Sequence, residues 1–321
     1  MRIKALKQAF STGKNYVIGI PYAWMLVFFL LPFLVILKYS FVERFGRRLG
    51  EFTNIINFDS DKLIFTLNFH LGNYNKLISF SEFSDSVTSL WDVINSNLYW
   101  LSYIESLKIA MIATIICLLV AYPFAWAVSR CQNATRNLLL LLIVLPSWTA
   151  FLIRIYAWQS ILNNNTGLLN QSLIWLGVID SPLTILNTEI AVYIGIVYCY
   201  LPFAILPIYA SISKIDNTLV EASLDLGCKP LKTFFKVILP LTKSGVIAGG
   251  MLVFIPSLGE YVIPELLGGS NSLMIGKRLM DVFNSRANWP MASALAVVML
   301  IILIMPILYF NKLQNKAGDN K

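Results

Sequence analysis

The feature that most constrains this chain is a set of six apolar stretches. Each is about as long as a helix needs to cross a bilayer, roughly 20 residues. They run from Tyr16 to Phe41, Tyr103 to Ser129, Asn137 to Leu162, Glu189 to Ser213, Pro240 to Leu267 and Met291 to Phe310. In hydrocarbon no water satisfies backbone N–H and C=O groups, so such stretches close their hydrogen bonds internally as helix. The expected fold is all-α: a polytopic membrane protein with six transmembrane helices. Composition agrees, with 57% hydrophobic and 13% charged residues among 321, against about a quarter charged in soluble domains. The first stretch carries Lys38 near its far end and lacks a small-x-small site after a short apolar core. It is expected to stay attached as an anchor and not to be removed as a signal peptide.

Charge orients the spans. Arg2, Lys4, Lys7 and Lys14 precede the first, and Arg130 and Arg136 join the second to the third. Lys214, Lys229, Lys232, Lys236 and Lys243 join the fourth to the fifth, and Lys312, Lys316 and Lys321 follow the sixth. All four segments fall on one side of a six-span arrangement, and an excess of Lys and Arg marks the cytoplasm. The connection from Asn163 to Thr188 has neither. The expected arrangement is a multi-pass membrane protein with both termini cytoplasmic. The net charge of +8 then reflects insertion bias, and no basic soluble face speaks for a nucleic-acid partner. Residues 43–102 form a long polar loop expected outside. Within it Leu63, Phe65, Leu67, Phe69 and Leu71 alternate with mostly polar neighbours, a period that suggests a short strand. His70 lies on the polar phase and is expected to be solvated. The loop is expected to pack on the outer surface and help seat a soluble partner.

Several chemistries are absent from the sequence. Cys117, Cys131, Cys199 and Cys228 have no zinc spacing and read as small apolar residues. No metal site is expected. Gly13-Lys14-Asn15 and Gly276-Lys277-Arg278 lack the Ser/Thr and the earlier Gly of a phosphate-binding loop. One His, distant from any Ser and acid pair, makes no catalytic triad. The chain is expected to be non-catalytic and to bind no cofactor.

The segment between the fourth and fifth spans carries the sharpest local pattern. Thr218-Leu219-Val220-Glu221 has the form of a capping box, which satisfies free amides at a helix start. Gly227 is placed to end that helix in a left-handed conformation, and Pro230 can open the next at its first position. Pro240 is expected to begin the fifth span.

Glu221-Ala222-Ser223-Leu224-Asp225-Leu226-Gly227 with Leu239-Pro240 resembles the "EAA" loop of ABC importer permeases. Ser223 stands at the second Ala of the triplet, and Val237 at a position usually Ile. Pro146-Ser147-Trp148-Thr149 followed by Arg154-Ile155-Tyr156-Ala157-Trp158 looks like the third span of polyamine-importer permeases. Pro264-Glu265-Leu266-Leu267-Gly268-Gly269 looks like the end of their fifth. The likeness covers nearly the whole chain apart from the first outer loop and the termini. It is nearest to the putrescine-importer subunit of the larger-loop type, a neighbour of the spermidine type.

The resemblance implies a type I ABC importer permease fold in which residues 214–239 form a cytoplasmic coupling loop. It implies a second, homologous permease, two copies of a cytoplasmic ABC ATPase that uses the ATP, and a periplasmic polyamine-binding protein. Glu221, Ala222, Ser223, Gly227 and Pro240 would couple the chain to the ATPase. Small residues let a helix sit close in an ATPase cleft.

A polyamine is a linear polycation, held by carboxylates, carbonyls and aromatic faces. Ionisable residues within spans are costly and so are candidates. Glu260 follows Pro256 and Gly259 and precedes Pro264, where a broken helix can free carbonyls. Counted from Pro240, it lies about 30 Å along a helix, toward the outer end. Glu265 is a further candidate, about 140° around an ideal helix from Glu260. Tyr193 and Tyr200, seven apart, share a face of the fourth span. Arg154 is the cationic candidate: it either pairs structurally with Glu260 or marks a path for an anion. Two other readings stand beside polyamine import. One is the same architecture for spermidine, thiamine, iron or an anion. The other is a self-sufficient secondary transporter or membrane enzyme.

The charge pattern yields a direct test. Single cysteines placed in 163–188 of a Cys-free variant should react with an impermeant thiol reagent from the periplasmic side. Cysteines placed in 214–243 should not, and their labelling would reverse the orientation.

Overall fold

The computed structural model describes residues 13–43, 56–59, 64–67, 69–78, 98–270, 272–284 and 288–318. Among the described residues, four helical stretches are long and apolar enough to cross a membrane: Ile18–Ser40, Leu98–Arg130, Glu189–Ile212 and Trp289–Leu308. Two bent pairs, Asn133–Trp148 with Phe151–Ile161 and Pro230–Leu241 with Lys243–Leu258, bring the number to six if each pair is one span.

The chain divides into two compact units, one of residues 1–84 and 281–300, the other of 85–280 and 301–321. In the first unit α1 (Gly13–Ser40) presents Trp24, Phe28 and Phe29 outward. Its end is tied to α2 (Gly72–Ile78). The Asn73 amide donates to the Val42 carbonyl at 2.7 Å, and the Tyr74 hydroxyl to Ser40 Oγ at 2.9 Å. The alternation expected between Leu63 and Leu71 becomes β2 (Ile64–Leu67), antiparallel to β1 (Ile56–Asp59), with Ile56 opposite Leu67 and Asp59 opposite Ile64. Leu63 itself lies outside the described residues. His70 is half-buried, not fully solvated. Its N–H donates to the Phe41 carbonyl at 3.0 Å, and its Nδ1 is buried without a hydrogen-bond partner among the described residues.

The second unit is built on three helices, α3 (Leu98–Arg130), α7 (Glu189–Ile212) and α11 (Lys243–Leu258). Lipid tails are as apolar as leucine, so close van der Waals packing must hold such helices together. The sequence supplies small residues for it. α3 buries Ser106, Ala110, Ala113, Cys117, Ala121 and Ala125. Gly245 and Gly249 of α11 lie against Pro207, Ser211 and Ala204 of α7. All four cysteines are free, and Cys117 and Cys199 are buried as small apolar groups.

Around this core lie α4 (Asn133–Val144), a 3-10 turn at Leu145–Trp148, α5 (Phe151–Ile161) and α6 (Leu168–Trp175). α4 and α5 enclose 91°. The stretch Asn137 to Leu162 is therefore not one straight helix. Pro146 lies in the 3-10 turn, and Thr149 and Ala150 are extended, which ends one helix and starts another.

The fifth stretch departs twice from expectation. It bends by 70° between Leu241 and Lys243, so the apolar helix begins at Lys243 and Pro240 belongs to the segment before the bend. It breaks again after Leu258 and resumes as α12 (Val262–Leu267). Glu260 thus follows a helix of 16 residues, about 24 Å long at 1.5 Å per residue, not the 30 Å of an unbroken count.

Glycine substitutions in α11 separate close packing from open space. An added Cβ at Gly249 would stand 2.9 Å from the Ala204 carbonyl oxygen, whereas at Gly250 its nearest neighbour is Leu118 Cδ1 at 3.4 Å. Gly249→Ala is expected to destabilise the purified protein by about 1–3 kcal/mol, the range for overpacking. Gly250→Ala should be neutral or slightly stabilising by helix propensity. Thermal unfolding in detergent compares the two.

Candidate functional site

The segment after α7 folds as a hairpin. α8 spans Asn217–Asp225, and its N-cap is Asp216, whose carboxylate accepts from the Thr218 N–H at 3.0 Å. The capping box expected at Thr218 and Glu221 is therefore not formed. Thr218 is already inside the helix, and the stronger carboxylate acceptor two residues earlier takes the cap. Gly227 has φ +78. Its N–H donates to the Leu224 carbonyl at 2.8 Å, and that of Cys228 to Ser223 at 3.2 Å. This pair of bonds is the Schellman closure that a left-handed residue permits. Pro230 opens α9 (Pro230–Thr233) as expected.

The two arms of the hairpin are joined inside by Ser223 Oγ and Thr233 Oγ1, 2.9 Å apart and buried. Ser223, the departure from the Ala-Ala pattern, thus has a partner ten residues on. Outside, Glu221, Ala222 and Gly227 are exposed. Beyond α9 a π-turn covers Phe234–Ile238, with the Leu239 N–H reaching back to the Phe234 carbonyl. α10 (Leu239–Leu241) follows, with Pro240 exposed.

The break after α11 is organised by Glu260, which is 8% exposed. Its Oε1 accepts from the N–H groups of Tyr261, Val262 and Ile263 at 3.1, 3.0 and 3.5 Å. Negative charge at a helix start is favourable in itself, because the first amides have no partner within the helix. Its Oε2 accepts from the Tyr200 hydroxyl at 2.5 Å. The carbonyls of Gly259 and Glu260 lie close against Gly276, where an added Cβ would stand 2.5 Å from each oxygen. The geometry thus brings Glu260 and Tyr200 together and packs the two carbonyls against Gly276.

No hydrogen bond or ion pair found among the described residues joins the remaining candidates to that pair. Arg154 has its guanidinium 5.6 Å from the Phe151 ring centroid, and its Nε is buried with no hydrogen-bond partner among the described residues. The ion pairs found among the described residues do not include one between Arg154 and Glu260. Glu265 pairs with Lys277 at 3.2 Å, and the Lys277 ammonium also donates to the Gly269 carbonyl at 2.6 Å. Tyr193 packs partly buried against a core cluster that includes Ile155, Val192, Ile196 and Ile263. It lies near Glu189, which with Glu105 holds the Lys108 ammonium at 3.2 and 2.7 Å.

Sequence reasoning missed Lys277 and the Glu105–Lys108–Glu189 group. The signal for the latter was available: Glu105 and Lys108 stand three apart within an apolar stretch, where charged residues call for a partner.

The family model for "Binding-protein-dependent transport system inner membrane component" matches residues 4–311. The chain belongs to this family. It is thus a non-catalytic, multi-pass inner-membrane subunit of a transport system. It is 39% identical over 305 residues to the spermidine/putrescine transport system permease protein PotB of Haemophilus influenzae, covering 94% of this chain and 95% of that protein. It is 37% identical over 299 residues to PotB of Escherichia coli, covering 92% and 97%. In fold it is similar to a chain of a bacterial ABC transporter that imports the acidic polysaccharide alginate. The TM-score is 0.61 at 14% identity, over 98% of this chain and 99% of that one. A second structure of a bacterial alginate transporter, in complex with an alginate pentasaccharide-bound periplasmic protein, gives 0.62 at 15% identity, over 98% and 97%. The type I permease fold implied by the sequence is the fold found.

Proposed function

We propose that the chain is the permease subunit of an ATP-driven importer that moves a polyamine, putrescine foremost, into the cytoplasm by alternating access. The observation that carries this reading is the near-full-length likeness to spermidine/putrescine permeases. It is joined by a buried carboxylate and a phenol meeting at a helix break, the groups that suit an ammonium.

The proposed partners are a second homologous permease, two copies of a cytoplasmic ATPase that uses the ATP, and a periplasmic polyamine-binding protein. The hairpin of α8 and α9 would face the cytoplasm and dock the ATPase through the exposed Glu221, Ala222 and Gly227, with Ser223 bracing it from inside against Thr233 and Pro240 ending the arm. Its outer surface supports this. Leu226, Leu231 and Phe235 are 85%, 75% and 62% exposed on a lysine-bearing segment, a surface that suits a protein partner.

On the substrate path, Glu260 and Tyr200 would meet an amine end through Oε2 and the phenol ring. Tyr193 and Glu265 would lie farther along. Arg154 would lie within electrostatic reach of Tyr200 and repel a cation that strays from the carboxylate.

Polar replacement of the outer surface tests the docking. Leu231→Ser with Phe235→Ser should leave the protein in the membrane but reduce co-purification of the ATPase and ATP-driven putrescine uptake at least tenfold. Retained ATPase binding would remove the hairpin from the docking role. Uptake that persists without any ATPase would replace this reading with a secondary transporter.

A further inference from the structure

The bend between the hairpin and α11 is pinned to α3 by one side chain. Thr242 is fully buried at the bend. Its hydroxyl lies 3.0 and 3.3 Å from the carbonyls of Ile238 and Leu239, and 2.8 Å from the Tyr122 hydroxyl. A threonine has one hydroxyl proton. Either hydroxyl can donate in the bond between Tyr122 and Thr242. The Tyr122 ring meets Phe234 edge-on at 5.2 Å, and Phe234 meets the exposed Phe235 at 5.0 Å. Tyr122 therefore touches both ends of the segment that runs from the hairpin to the bend.

That segment and its anchor are both places where a helix yields. Phe234 opens the π-turn, a wider turn often found at functional sites. Pro240 has no N–H to continue the ladder. On α3, Pro123 follows Tyr122 within the helix, so the backbone there lacks a hydrogen bond too.

We infer that Tyr122 is a positioning residue for coupling: it passes movement of the hairpin to α3 and to the bend at Thr242. The inference rests on the proposed coupling role of the hairpin. When the hairpin is displaced, Phe234 carries the Tyr122 ring, and the hydroxyl bond moves Thr242 and the start of α11 with it. α3 and α11 then shift as one. Without the bond, the π-turn absorbs the displacement and the membrane helices stay behind.

The test uses the whole transporter, with its partner permease, ATPase and binding protein, reconstituted in vesicles. Tyr122→Phe keeps the ring contact and removes the hydroxyl. Thr242→Val removes its partner, and Thr242→Ser restores it. Putrescine uptake and ATP hydrolysis are measured together, beside complex yield and thermal stability. Both single variants should assemble normally, hydrolyse ATP and lose about fivefold in uptake per ATP, the worth of one neutral hydrogen bond. The double variant should be no worse than either single one, and Thr242→Ser should stay near the parent. Uptake per ATP within twofold of the parent in both singles would overturn the inference, as would losses that multiply in the double. A parent complex that takes up putrescine without ATP would instead overturn the proposed function.

Discussion

A helix interrupted in apolar surroundings leaves amides and carbonyls that no water can satisfy. Much of this structure follows from how those groups are repaired. At the break after Leu258, one oxygen of Glu260 takes three successive amides of the resuming chain. At the bend before Lys243, the Thr242 hydroxyl covers the carbonyls of Ile238 and Leu239. The Gln159 amide donates to the Leu266 carbonyl near the end of α12, and Ser106 accepts from the Ile275 N–H. Each repair fixes a break in one geometry and concentrates polarity there. The same groups are the ones that the proposed coupling and cation path would use.

Small residues make those repairs possible. α3, α7 and α11 approach closely because alanines and glycines line their contacts. That brings Tyr122 of α3 to Thr242, and Tyr200 of α7 to Glu260. Bulkier residues at Gly245 or Gly249 would push α11 away from α7. Packing in the unit's core and chemistry at its breaks are therefore one problem.

Much of this was legible in the sequence. Hydropathy located the apolar stretches, because spanning a bilayer fixes a length. Gly227 and Pro230 read correctly because each backbone preference is local. The 91° and 70° bends did not, since Pro146 and Pro240 mark a disturbance without giving its angle. The helix start at Asp216 was misassigned to Thr218, because both carry capping oxygens and only geometry chooses between them. The Ser223–Thr233, Tyr122–Thr242 and Glu265–Lys277 pairs join residues 10, 120 and 12 apart along the chain. No periodic signal announces such meetings. Glu260 was singled out by its setting between Gly259 and Pro264, and the structure adds its cap and its phenol partner.

The central claim is that Glu260 divides its work: one oxygen holds the backbone, and the other, with Tyr200, attracts the amine of the substrate. Concentration-dependent putrescine uptake by Glu260→Gln, in the fully assembled transporter, tests it most directly. Gln keeps the shape and an acceptor for the amides but removes the charge. The expected result is normal assembly and basal ATP hydrolysis with KM raised about tenfold or more, the scale of one lost charge-assisted hydrogen bond. Uptake kinetics equal to those of the parent would contradict the claim and leave Glu260 as a helix cap alone.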